Sequence, residues 1–246
     1  MVGKDSFFSK KRIVCCKKTY AFQKIIVLLT FFLYCCKSLC HFLCSFYLFN
    51  AMFLLKILGK ILLFFSGWKI KGKLPQNVPK TVMIAAPHTS NWDFFYTIVI
   101  FSALGVRIRF LGKKSLFKFP LGMLMRFFGG IPVDRSQRNN FVSTAADMIK
   151  NAKEIILLVP VEGTRSYTEN WRSGFYYIAQ EAGVPISLGF LDYAKKEGGF
   201  FSDLFYPTGN YVEDLEKLQL FYKDVQGKYP QNSSLYKKFG SKTMIW

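Results

Sequence analysis

No cysteine occurs after Cys44: all six (Cys15, Cys16, Cys35, Cys36, Cys40 and Cys44) precede it in a chain of 246 residues. That excludes a disulfide-stapled secreted fold and leaves the long C-terminal part without a cysteine nucleophile. Cys36, Cys40, His41 and Cys44 have helical spacing, but their segment is apolar and lacks the paired, short-spaced ligands of a zinc motif; they read as buried or lipid-facing thiols, and no metal site is expected. The Gly-x-Ser-x-Gly turn that would present a nucleophilic serine is also missing. Acidic residues are scarce, 15 against 34 Lys and Arg, for a net charge of +19. Such a charge attracts a polyanion, whether nucleic acid, an anionic bilayer or an acidic carrier protein. Internal repeats and low-complexity linkers are absent, so a single core is expected.

Apolar surface is abundant: 51% of residues are hydrophobic and 18% aromatic, with 27 Phe. This exceeds what one soluble interior needs and points to membrane contact. A cationic block (Lys10, Lys11, Arg12, Lys17, Lys18, Lys24) precedes an apolar stretch from Ile25 to Leu55 broken only by Lys37. The stretch is long enough to span a bilayer, and its basic flank would keep the N-terminus cytoplasmic. Bulky residues continue where a signal peptide would be cut, so an anchor is expected. Composition changes at Met52, a natural start, which would make residues 1–51 a mis-assigned extension. Within 52–66, Lys56 and Lys60 stand one turn apart among Leu, Ile and Phe, which suits a helix lying in the membrane interface; the competing reading packs it on the domain's own core. The expected organisation is an anchor at 1–66, one domain at 67–226 and a loosely held, polar basic tail at 227–246.

From Trp68 onward short apolar runs alternate with helical patterns. Strands are predicted at 68–72, 81–86, 107–112, 130–134, 154–160 and 185–190. Helices are predicted near 92–103, 115–128, 140–151, 172–182 and 211–225, with Gly183 as a C-cap. This alternation predicts an α/β fold, a mixed and mostly parallel sheet flanked by helices.

The segment AAPHTSNWDFF sets His88 and Asp93 between a strand end and a helix start, at the sheet edge where open α/β folds carry their sites. An imidazole can take a proton from an alcohol, and a nearby carboxylate can fix its tautomer and stabilise the imidazolium. Taken alone, the pair is equally compatible with a helix-capping arrangement. FGGIPVDR ends in Asp134 and Arg135, and VEGTRS supplies Glu162, Gly163, Thr164 and Arg165. Two arginines at strand ends can converge on a phosphate, because the guanidinium fork donates two hydrogen bonds at once; local ion pairs are the alternative for each segment. Lys113, Lys114 and Arg172 add positive charge to the same edge.

In order and spacing these segments, with Val184-Pro185-Ile186, resemble the four motifs of the phospholipid and glycerol acyltransferase family over roughly residues 66–225. The resemblance implies that His88 is the general base and Asp93 its partner, with Ser90 at the usual serine position. It implies that Asp134, Arg135 and the Glu162–Arg165 loop bind a glycerol phosphate acceptor, and that Val184 to Ile186 shape an acyl pocket. The proline that normally precedes the glutamate is Val161 here, with Pro160 one place earlier, which puts the acceptor geometry in question. The implied reaction moves an acyl group from an acyl carrier protein or coenzyme A thioester to the free hydroxyl of 1-acyl-sn-glycerol 3-phosphate. No bound cofactor is needed, and the partners are lipid bilayer, lysophospholipid and polyanionic donor rather than nucleic acid. Another lysophospholipid or a lyso-amino-lipid could replace the acceptor. A non-catalytic basic membrane adaptor would explain the charge and the phenylalanines, but has no use for His88 and Asp93 beside two arginine loops.

Overall fold

The computed structural model describes residues 52–73, 78–133 and 141–240. The expected membrane span, the cysteines, and the Asp134 and Arg135 pair lie outside these residues. The chain divides into Met1–Phe53 and Leu54–Trp246, and the second unit holds the sheet.

Strand β2 (Lys80–Ala86) runs up the middle of that sheet. Its alternating side chains face two different cores, which is why both of its faces are apolar. Val82, Ile84 and Ala86 join one cluster and Met83 the other. The remaining strands are β1 (Lys69–Lys71), β3 (Arg109–Lys113), β4 (Gly130–Val133), β5 (Ile155–Pro160), β6 (Ile186–Asp192) and β7 (Glu197–Phe205), in the order β1-β7-β6-β2-β5-β3-β4. Every pairing is parallel except β6 with β7, so the sheet is mixed and mostly parallel, as expected. The neighbours of β2 are β5 and β6, so its C-terminal end opens between two other strand ends.

Helices cover both faces. α4 (Phe141–Asn151), α5 (Gly174–Ala182) and α6 (Tyr211–Phe221) pack on the Val82 face through Ile149, Phe175, Ile178, Leu218 and Tyr222. Each fully buried side chain of this size contributes roughly 1.5–3 kcal/mol relative to exposure. Gly183, with φ of 65°, closes α5 in the left-handed region, as its sequence position predicts. On the Met83 face, α2 (Asn91–Leu104) lies against the sheet through Phe101. The helix at residues 52–66, α1, packs Leu63 against Val99 and Ala103 of α2.

Three expectations change. The helix expected over 115–128 is a 3-10 turn (Lys114–Phe117) followed by α3 (Leu121–Phe127); Pro120, which has no N–H to donate, separates them. β7 has no counterpart among the predicted strands, and two glycines, Gly198 and Gly199, stand near its start. They are required by close approach: a Cβ on Gly199 would lie 2.1 Å from the Lys71 carbonyl oxygen, and one on Gly198 would lie 2.6 Å from Ile100. The loosely held tail, finally, is docked from 227 to 240. Its 3-10 turn (Pro230–Asn232) and α7 (Ser234–Phe239) bury Ser233, Ser234 and Leu235.

Candidate active site

β2 ends at Ala86 and α2 begins at Asn91, leaving Pro87 to Ser90 to turn the chain at the sheet edge. Ser90 is the N-cap. Its hydroxyl accepts from the Trp92 N–H at 3.1 Å, while Asp93 reaches back to the Ser90 N–H at 2.9 Å, completing a capping box. The serine expected to bind substrate is therefore buried and engaged by its own helix.

The same Asp93 oxygen, Oδ2, accepts the Thr89 N–H at 2.8 Å and faces His88 Nδ1 at 3.1 Å. The carboxylate is almost wholly buried while the imidazole is partly open, with 6% and 23% side-chain exposure. Asp93 thus orients the ring by Nδ1 and favours the tautomer whose free lone pair is on Nε2, available to a substrate hydroxyl. The two readings of the pair are compatible: one carboxylate caps the helix and orients the imidazole.

Glu162 follows β5 and has no solvent exposure. Its Oε2 accepts the His88 backbone N–H at 2.7 Å. Burial pushes this carboxyl above its ordinary value, partly offset by the His88 and Ser234 N–H groups and the Ser233 side chain. Expected to contact the acceptor, Glu162 instead holds the histidine turn from beneath. Val161 is fully buried in the core beside it, and its carbonyl accepts from the Arg172 N–H at 2.7 Å.

The exposed part of the loop holds Gly163, Thr164 and Arg165. Gly163 has φ of 66°, with the Arg172 side chain lying over it. Thr164 Oγ1 accepts from Ser166 N at 3.3 Å, and the Arg165 guanidinium donates to Asn91 Oδ1 at the start of α2. Arg165 and His88 are thereby brought to one edge. Lys113 and Lys114 are exposed where β3 ends, and Arg172 is exposed beside Gly163. Val184, Pro185 and Ile186 sit at the other end of the sheet. Ile186 pairs with Val82, four residues below Ala86, and the Pro185 carbonyl accepts from Val82 N and Thr81 Oγ1. They belong to the core rather than to a pocket at the site.

Two contributions have no counterpart among the expected residues. The Tyr193 hydroxyl donates to Asp93 Oδ1 at 2.7 Å. The C-terminal segment lies over the histidine turn: Tyr229 N donates to Thr89 Oγ1 at 3.2 Å, and Lys228 sits 4.6 Å from the Trp92 ring centre. Tyr193 is 100 residues from Asp93, and only the pairing of β6 with β2 makes them neighbours.

A protein-family model described as Acyltransferase matches residues 69–187. The crystal structure of the 1-acyl-sn-glycerophosphate (LPA) acyltransferase PlsC from Thermotoga maritima is similar at a TM-score of 0.48 and 17% identity, covering 79% of this chain and 80% of that one. No curated protein sequence gives a significant match. The matched stretch carries His88, Asp93 and the Glu162–Arg165 loop, so that residues 69–187 are similar to the acyltransferase family in the part of the chain that holds this site.

Proposed function

We propose that the chain transfers a fatty acyl group from a coenzyme A or acyl carrier protein thioester to the free hydroxyl of 1-acyl-sn-glycerol 3-phosphate, giving phosphatidic acid. The observation that carries this reading is the His88 Nδ1 to Asp93 Oδ2 contact of 3.1 Å inside the stretch that matches the acyltransferase family. His88 Nε2 takes the proton of the acceptor hydroxyl as its oxygen attacks the thioester carbonyl carbon. The carbon–sulfur bond of the resulting tetrahedral intermediate then breaks, and the imidazolium returns the proton to the leaving thiolate. Asp93 stabilises the imidazolium between the two steps. Arg165 and the cations Lys113, Lys114 and Arg172 supply the charge that a phosphate-bearing acceptor requires, and Arg135 is expected to join them.

The enzyme works at the cytoplasmic face of a membrane in this reading. Among the described residues no helix is long and apolar enough to cross a membrane, but apolar side chains stand out from the surface. Phe64 and Phe65 at the end of α1 are 80% and 82% exposed, and Phe119 before α3 is 86% exposed, with Leu124, Met123 and Phe127 nearby. Patches of this kind suit an interfacial surface, where the acceptor resides.

Purified protein given one labelled acyl thioester and a panel of lyso-lipids tests the assignment. Transfer to the phosphate-bearing acceptor is expected, and transfer only to phosphate-free acceptors would overturn it. His88→Ala is expected to lower turnover by about 100- to 10,000-fold; unchanged transfer would remove the histidine from the mechanism.

A further inference from the structure

Asp93 is gripped from two sides. On the side of the histidine turn, Oδ2 meets Thr89 N, Ser90 N and His88 Nδ1. On the other side Oδ1 receives the Tyr193 hydroxyl at 2.7 Å. Tyr193 is the first residue after β6, and its backbone N–H donates to the Gln226 carbonyl at 2.9 Å. Trp68 meets its ring edge-on at 5.0 Å, and Tyr96, stacked on Trp68 at 4.2 Å, meets it edge-on at 6.1 Å. Two rings and a backbone bond therefore hold the phenol where its hydroxyl reaches Oδ1.

We propose that Tyr193 is a positioning residue for the catalytic pair, its hydroxyl fixing the Asp93 carboxylate and setting how strongly that carboxylate supports a protonated His88. The inference rests on the reading of His88 as the general base. A donor on Oδ1 draws charge away from Oδ2, the oxygen that faces the imidazole, and prevents the carboxylate from turning about its own bond. Burial, and then the Asp93 charge, push the Tyr193 hydroxyl well above the ordinary tyrosine value, so it remains a donor at every working pH. The other titratable groups around the pair are Glu162 under His88, Tyr96 and Tyr229 beside Tyr193, and Lys196 and Lys228, which line a cavity of about 210 Å³ with Tyr193, Trp68 and Trp92. Among the described residues none of these hydrogen-bonds Oδ1, so the hydroxyl has no substitute.

Tyr193→Phe removes the hydroxyl and keeps the ring. At neutral pH kcat should fall by about tenfold, the scale of one charge-assisted hydrogen bond, with KM unchanged. Oδ2 then carries more charge and holds the imidazolium more tightly, so the acid limb of the kcat/KM profile should move to higher pH. In a His88→Ala background the same substitution should cost nothing further, since its effect passes through the histidine. An unshifted profile, a rise in KM alone, or an equal loss in the His88→Ala background would each overturn the proposal. If Tyr193→Phe fails to fold, Trp68→Phe loosens the ring box while leaving the hydroxyl; a moved acid limb supports the proposal and a superimposable profile overturns it. The His88→Ala single variant separately reports on the catalytic reading, so the two failures are distinguishable.

Discussion

Glu162 is a carboxyl with no exposure, one oxygen on the His88 N–H, and the Ser234 N–H and Ser233 side chain also act on it. Burial raises it above the unfolded value near 4.5. Its favourable contribution to folding is therefore complete below that value and is lost as pH rises through the raised folded value, where a charge has to be buried. Glu162→Gln keeps an acceptor for the His88 N–H and removes the charge. Thermal melts across pH should show the variant gaining stability relative to the parent as pH rises, with a flatter profile; identical slopes would mean that Glu162 does not titrate in this range. The alanine variant behaves differently, because a part-buried His88 N–H left unpaired costs up to about 1–3 kcal/mol. His88 and Asp93 are legible in sequence because five residues at a helix start suffice to bring them together. The office of Glu162 is not, since whether a loop carboxylate points outward to a phosphate or inward to a backbone N–H depends on where β5 stops.

Among the elements, α1 and α2 touch backbone to backbone. A Cβ at Gly59 would stand 2.9 Å from both the Val99 carbonyl oxygen and the Ala103 nitrogen, neither of which can step aside as a side chain could. Gly59→Ala should therefore cost about 1–3 kcal/mol, the scale of overpacking in a close-packed contact, despite the higher helix propensity of alanine. Denaturant unfolding measures it, and a gain in stability would show that the crossing has room for a methyl group. The same packing logic explains what could be read beforehand. β2, β5 and β6 announce themselves as short apolar runs, and Gly183 as a helix stop. β7 conceals itself because the glycines that admit Lys71 and Ile100 also erase the alternation that marks a strand. Residues 227–240 offer no period at all, only scattered anchors such as Tyr229, Ser233 and Leu235.

Over the whole molecule, a net charge of +19 accompanies exposed phenylalanines at 64, 65 and 119. Flotation of the full chain with vesicles should show stronger attachment to anionic than to zwitterionic lipid. The difference should shrink as ionic strength rises and screens the lysines, leaving an apolar remainder. Equal attachment to both lipids at low salt would argue against an electrostatic share.

The docking of the C-terminal segment on Thr89 and Trp92 also bears on how the enzyme comes into being. The histidine turn leaves the ribosome well before Tyr229 and Lys228, which cover it, since Tyr229 follows Thr89 by 140 residues. A growing chain can complete the central strands yet still lack the covering of its base, so the finished site belongs only to a polypeptide whose synthesis has passed that point.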